Sequence, residues 1–380
     1  MPIIVAISLV TYNGEKWIKQ CLEAVKNQSY KNWQVFVVDN NSQDGSVGLI
    51  KKIMPEADLI INQKNLGFSV GHNQNIRRLS NEAQYVLCLN QDAILDVDFL
   101  AHAVAALEKD SRAGALQGRL LRIKEFFSVI PAKAGIHTII GRPSVDSRTP
   151  LGIFDIRGND KANKSENIID TTGLVIFKNR QVINRGQGEI DRGQYDKSEE
   201  IFGADGAAPV YRVSVLKVVA APLLVSSLKK GGESDEYFDE DFFAYKEDVD
   251  LSWRLRLAGW QIIYEPRAIA WHGRSVSGDA IGLKNIRKQR QQISRFSRLY
   301  SCQNNYYMLL KNELSSLFWR HLPYIFWRQL KISVYILLFE PWMLKSIHRF
   351  FRTAFLMLKK RKIIMTKKTV DAKEMKKWFV

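Results

Sequence analysis

Cysteine is scarce: Cys21, Cys88 and Cys302 are scattered through 380 residues. That excludes a disulfide framework and a thiolate metal site, and it points to a reducing compartment. No stretch reaches the ~18 uninterrupted apolar residues of a spanning helix. The nearest, Ile332–Leu344, is short and contains Glu340 and Pro341. The first apolar run, Pro2–Val10, lacks a basic leader and a small-residue cleavage site, so no signal peptide is expected. Acidic residues are sparse at one end only. Of 56 Lys+Arg and 39 Asp+Glu, residues 281–380 hold 22 and 4, a net of +18, which leaves −1 for the rest. The body is therefore neutral, and the last quarter is suited to an anionic surface, membrane or nucleic acid. At 46% hydrophobic and 25% charged, the composition is that of a globular chain, neither disordered nor collagen-like.

Over the first 110 residues, strand and helix patterns alternate. The continuous apolar run 3–10 reads as a strand buried on both faces. A helix follows, with Trp17, Ile18, Cys21, Leu22 and Val25 on one face. Residues 33–39, 57–62 and 85–90 read as further strands, with helices expected near 72–80 and over 96–110. This order predicts a doubly wound α/β sheet that binds ligands at the C-terminal ends of its strands. Residues 126–166 show no sustained period, which is unusual inside a compact domain. They read as a late insertion, mobile and outside the chemistry, or as a family-specific loop. Later, 167–177 and 203–212 read as strand segments. A helix is expected from Asp248 to Ala258 with its stop at Gly259, then a strand at 260–266 and a loop at 270–275.

Four polar constellations stand at strand ends. In "VVDNNSQDGS", the Asp39 carboxylate can accept from a base N–H or a ribose hydroxyl, with Asn40, Asn41 and Ser42 beside it; turn capping is the alternative. In "NLGFSVGHNQNI", Gly67 and Gly71 permit close backbone approach, and Asn65, Asn73 and Asn75 can bind sugar or phosphate. A helix N-cap is the alternative, and the G-x-G-x-x-G dinucleotide fingerprint is absent. Asp92, just past a buried strand, can hold a hard divalent ion or cap a turn. Glu247, Asp248 and Asp250 put three carboxylates at a helix start. They suit the helix dipole, and crowding there also raises the pKa of one, as a general base requires. His272 follows a strand, as a metal ligand or a structural residue.

The order of "VTYNG", "VVDNNSQDGS", "NLGFSVGHNQNI", "LNQDAIL", "GADGAAPVYR", "FDEDFFAYKEDVDLSWRLRLAGW" and "AWHGRS" resembles bacterial glycosyltransferase family 2, most of all its rhamnosyltransferase-type members. The resemblance spans about residues 3–275, apart from 126–166. It implies a GT-A fold over 1–275, Rossmann-like, with a mostly parallel sheet flanked by helices. It also implies an inverting transfer from a nucleoside-diphosphate sugar, with dTDP-rhamnose as first candidate, to a saccharide or polyprenyl-linked acceptor in surface polysaccharide synthesis. On that resemblance Thr11, Tyr12, Asn13, Asp39 and Asn41 serve the nucleotide, and Asn65, Gly67 and Asn73 lie along the donor. Asp92 binds Mg²⁺ or Mn²⁺ with His272, and Asp248, beside Glu247, is the catalytic base. "NQD" replaces the family's D-x-D form, which leaves one carboxylate there and keeps open a catalytically silent scaffold as the rival reading.

Residues 276–380 mix Lys and Arg with Trp, Phe and Leu. That composition suits helices lying in a membrane interface, and the implied location is cytoplasmic, peripheral on the inner face of the plasma membrane. A helical cap with a solvated basic face is the alternative. Nucleic acid is not an expected partner, since no nucleic-acid module accompanies the charge.

Overall fold

A computed structural model of the chain describes residues 4–123, 167–222, 235–273, 290 and 293–380. The segment 126–166, read as an insertion, lies outside the described residues.

The first half alternates as its periodicity predicts. Strand β1 (Ile4–Thr11) leads to α1 (Glu15–Lys26), β2 (Trp33–Asp39) to α2 (Ser46–Ile53), and β3 (Asp58–Ile61) to α3 (Gly67–Arg77). Then come β4 (Ala83–Asn90), β5 (Ala93–Leu95), α4 (Phe99–Lys109) and β6 (Ala113–Arg122). Short strands follow: β7 (Ile169–Thr171), β8 (Leu174–Ile176), β9 (Val182–Asn184), β10 (Glu199–Glu200) and β11 (Val210–Arg212). After α5 (Val213–Val219) come β12 (Ala221–Pro222), β13 (Asp235–Glu236), α6 (Glu247–Leu257) and β14 (Gln261–His272). The C-terminal helices are α7 (Arg295–Asn312), α8 (Ser315–Phe339), α9 (Leu344–Thr366) and α10 (Ala372–Lys376).

The main sheet runs β10-β14-β6-β11-β4-β1-β2-β3. β1 pairs parallel with β2 and β4, β2 with β3, and β14 with β6, while β11 is antiparallel between β4 and β6. The sheet is therefore mixed, with a parallel nucleus. On one face α1, α2 and α4 bury Ile18, Cys21, Leu22, Val25, Ile50 and Leu107; on the other, α3, α5 and α6 bury Ile76, Leu216 and Leu251. Each such aliphatic side chain contributes about 1.5–3 kcal/mol by leaving water.

Two elements depart from expectation. β6 went unrecognised because Gln117 and Arg119 interrupt its apolar run, yet both are buried with partners. Gln117 donates to Gly118 O and accepts from Asp205 N, and Arg119 pairs with Asp191 and Asp196. β14 does not end at Pro266. Its register with β6 shifts between Glu265 and Ile269, and the strand continues through His272 where a loop was expected. A bulge absorbs the proline, which has no N–H to give the ladder.

Helix α6 is buried all round because it separates two cores. Leu251 and Leu255 face the sheet core; Val249, Trp253 and Leu257 face a third core built with Tyr307, Met308, Leu317, Met357 and Ile364 of the C-terminal helices. Part of the tail's charge is spent here. Lys311 and Lys360, both buried, pair with Asp239, Asp250, Glu236 and Asp241. The outer faces of α8 and α9 stay open, with Trp327 59%, Phe351 71% and Phe355 68% exposed. No helix among the described residues is long and apolar enough to cross a membrane.

Candidate functional site

The parallel register brings Thr11 opposite Asp39 and Val10 opposite Asn90, so three strand ends open at one edge of the sheet. A cleft of about 300 Å³ lies there, lined by Thr11, Tyr12, Asn65, Gly67, Gln91 and Asp92 among others. Phe243, Ala244 and Phe296 close its far side. Five residues predicted from sequence, Thr11, Tyr12, Asn65, Gly67 and Asp92, thus meet across three segments.

The loops at this edge are stitched together. Asn13 (φ 48°) donates its N–H to Ser42 Oγ at 2.9 Å and accepts from Gln43 N at 2.9 Å. Asn41 (φ 64°) offers its carbonyl to the Gln43 side chain at 3.0 Å. Gln91 was not singled out in the sequence, yet its Oε1 accepts from Thr11 Oγ1 at 2.7 Å and Tyr12 N at 2.9 Å. The middle residue of "NQD" therefore shapes the first loop.

Asp39 is wholly buried, and its carboxylate accepts from Ser42 N at 2.9 Å and Ser42 Oγ at 2.6 Å. Two expectations need correction. Asn73 is buried too; it donates to Phe238 O at 2.7 Å and Glu240 at 2.9 Å and accepts from Phe238 N. Asn75 donates to Ser8 Oγ and Leu9 O. Helix α3 starts at Gly67, several residues earlier than its pattern suggested, which turns Asn73 and Asn75 to its inner faces as clamps between segments.

Behind cleft-lining Asp92, His272 Nε2 lies 3.4 Å from Asp92 Oδ1, and Nδ1 lies 2.9 Å from Asp170 Oδ2. Burial disfavours the charged ring, but Asp170 and Asp92 outweigh it and hold its pKa up at about 10. Nδ1 engaged by Asp170 leaves Nε2 aimed at Asp92, the geometry of a carboxylate-oriented metal-binding histidine. Among the described residues no group of three His, Cys, Asp or Glu could hold an ion. Asp92 and His272 are the two side chains here that would hold a hard cation, which would take the place of the Nε2 proton between them.

Asp248 occupies the start of α6. Its Oδ2 accepts from Gly206 N at 3.2 Å and its Oδ1 from Val249 N at 2.7 Å. A Cβ on Gly206 would lie 3.5 Å from Asp248 Cβ and 3.7 Å from the Phe68 ring, which lines the cleft. Burial, then Asp205, raises the Asp248 pKa to about 6, against the pull of Lys246. Burial and Asp248 push Glu247 well above the ordinary carboxylate range. The crowding expected from Asp250 comes instead from Asp205, because Asp250 points away and is bound by Arg254, Lys311 and Asn312.

The segment before α6 is strained. Phe243 (φ 61°, ψ −61°) centres a γ-turn of the rare positive-φ kind, closed by Ala244 N donating to Phe242 O at 2.7 Å. Tyr245 (φ 72°) and Lys246 (φ 71°) follow in the left-handed region. Such residues cost on the order of 1–3 kcal/mol each and cluster at functional sites. The turn aims the Phe243 carbonyl at Phe68 N, 2.7 Å away at the start of α3. A Cβ on Gly67 (φ 87°) would collide with that carbonyl, which is why glycine is required there.

Comparison with known proteins gives a consistent picture. The chain is 23% identical over 266 residues to the poly-beta-1,6-N-acetyl-D-glucosamine synthase of Staphylococcus aureus (strain COL), across 69% of this chain and 48% of that protein. To the Staphylococcus epidermidis protein of the same name it is 22% identical over 338 residues, across 88% of this chain and 60% of that one. It therefore spans about half to three-fifths of the length of these relatives. Among solved structures, the mannosyltransferase PcManGT from Pyrobaculum calidifontis, in complex with GDP-Man and Mn²⁺, aligns over 93% of this chain and 75% of its own at 15% identity and a TM-score of 0.46. Residues 6–174 match the model described as glycosyl transferase family 2. The architecture is GT-A-like, and the stretch that matches this family model runs from β1 through β7.

Proposed function

We propose that the protein is an inverting sugar transferase, moving a glycosyl group from a nucleoside-diphosphate donor to an acceptor hydroxyl. The observation that carries this reading is Asp248: a carboxylate at the start of α6, held by Gly206 N next to cleft-lining Phe68, with its pKa raised to about 6, poised to take a proton near neutrality. In this reading Thr11, Tyr12, Asn65 and Gly67 seat the donor, with Asp39, Asn13 and Asn41 shaping the loops around it. Asp248 accepts the acceptor's hydroxyl proton as that oxygen forms its bond to the anomeric carbon. The bond to the diphosphate oxygen breaks on the opposite face, which inverts the centre. Glu247 beside it is pushed above the ordinary carboxylate range by burial and by Asp248, which disfavours a second negative charge next to the base. Asp92 and His272 would hold Mg²⁺ or Mn²⁺, which as a Lewis acid offsets charge on the departing diphosphate.

The first donor candidate is dTDP-rhamnose. The acceptor is a saccharide or a polyprenyl-linked saccharide, a reading supported by similarity to proteins named as polysaccharide synthases. The exposed aromatics of α8 and α9, interleaved with Lys331, Lys345, Arg352 and Lys359, suit a peripheral seat on the anionic inner face of the plasma membrane.

The test is a panel of nucleotide sugars, dTDP-rhamnose included, applied with Mn²⁺ to the full chain. The true donor at 100 times its Kd should add about 2.7 kcal/mol of stability. It should also release nucleoside diphosphate in a reaction lost in Asp248→Asn. A panel with neither stabilisation nor release would leave the protein a silent scaffold.

A further inference from the structure

We infer that Asn304 is a positioning residue for the base-bearing segment, delivered by a helix outside the stretch that matches the family 2 model. The inference rests on the reading of Asp248 given above. The Asn304 side chain is fully buried, and its Nδ2 lies 2.8 Å from Phe242 O, 2.9 Å from Ala244 O and 2.8 Å from Tyr245 O. Three carbonyl oxygens converging on one point repel one another. The amide N–H₂ supplies the positive partial charge that lets them meet. Those carbonyls belong to the strained stretch that carries the γ-turn at Phe243 and leads through Lys246 into Glu247 and Asp248.

The rest of the helix agrees. Phe296, Tyr300 and Asn304 recur every fourth residue on one face of α7. The Phe296 and Tyr300 rings pack on Phe243 at 5.4 and 5.3 Å between centroids, and Ser297 Oγ lies 2.7 Å from the Tyr245 hydroxyl. The grip then passes in two directions. Phe243 O fixes Phe68 N beside cleft-lining Gly67, and the left-handed turn at Lys246 sets where Asp248 begins α6. One amide thereby couples the donor wall and the base.

Hydrogen exchange of the full chain, without nucleotide, tests this apart from catalysis. In the near-isosteric Asn304→Asp, amides at Phe68, Ser69 and 243–248 should exchange about tenfold faster or more, with α1 and α4 unchanged, as for a local opening. Asn304→Ala is measured in parallel. Exchange at wild-type rates in these segments of a folded variant would overturn the inference. So would unfolding of both variants, which would assign Asn304 to global stability. In turnover of Asn304→Ala, which adds no charge, the acid limb set by Asp248 among Asp205, Glu247 and Lys246 should move down toward the ordinary carboxylate range; an unmoved limb would also count against the role. If the wild type transfers no sugar, the proposed function fails while the exchange measurement still decides the fate of Asn304.

Discussion

Asp170 Oδ2 lies 2.9 Å from His272 Nδ1, and that contact decides which ring nitrogen faces Asp92. An orienting carboxylate of this kind is worth about 10–100-fold in metal affinity. Asp170→Asn should therefore weaken Mn²⁺ binding by about that factor, read by paramagnetic titration of free Mn²⁺ in the presence of UDP. Undiminished affinity would remove His272 from the cation site.

Asp248→Asn keeps the shape of the side chain and removes its basicity. Its turnover should fall about 10²–10⁴-fold, while nucleotide binding, followed by calorimetry, stays within about twofold. In the wild type the base works only when ionised. With its pKa raised to about 6, kcat/KM should rise with pH through that value and level off above it. A profile flat from pH 4.5 to 8 would exclude Asp248 as the base.

Gln91→Ala removes the acceptor shared by Thr11 Oγ1 and Tyr12 N. Losing one such bond of about 1.4 kcal/mol corresponds to a factor of ten. The donor KM should rise by about that factor with kcat little changed, measured by initial rates against donor concentration. A variant that lost kcat alone would place Gln91 in the chemical step instead.

Lys360→Met strips the common partner from Glu236, Asp239 and Asp241. Breaking a buried ion cluster this way should cost about 3–5 kcal/mol in denaturant unfolding. Burial, then Asp239, raises Glu236 to about 7 from 4.5. The charged form therefore costs stability above pH 7, and that cost is relieved as pH falls toward 4.5. The variant should lose less at pH 5 than at pH 8, and an equal loss at both would discount Glu236 charge as the cause.

Phe351→Ser combined with Phe355→Ser removes two rings that are 71% and 68% exposed. Sedimentation with vesicles of anionic lipid at low salt should show partition of the wild type, weakened several-fold in the double variant and by added salt. A wild type left in the supernatant would refute the peripheral membrane seat.

How much of this was legible in the sequence follows from what sequence can encode locally. Asn65, Gly67 and Asp92 stood out because polar residues and glycine past buried strands mark a sheet edge open to a ligand, and Thr11 and Tyr12 through the family resemblance; all five line the cleft. Gln91 and Asp205 lay inside quoted motifs without being singled out, and Asp170 and Asn304 lay outside them, since each of the four matters through a partner far along the chain. Asn73 and Asn75 misled for the converse reason. Polar residues in a Gly-rich stretch look like ligand contacts until the helix start fixes which way they point. The basic tail was half legible: its charge and aromatics showed, but nothing local marked Lys311 and Lys360 as buried counterions.

The carbonyl of Phe243 has a last effect. A helix end near a diphosphate usually serves as an anion socket. Here α3 is plugged: Gly67 N donates to Asn65, and Phe68 N and Ser69 N to Phe243 O. No lysine or arginine lines the cleft among the described residues. In the proposed reading, two negative phosphates would meet, among the described residues, no cationic side chain nearer than His272, already shared between Asp92 and Asp170, so most of what neutralises them would travel in with the nucleotide.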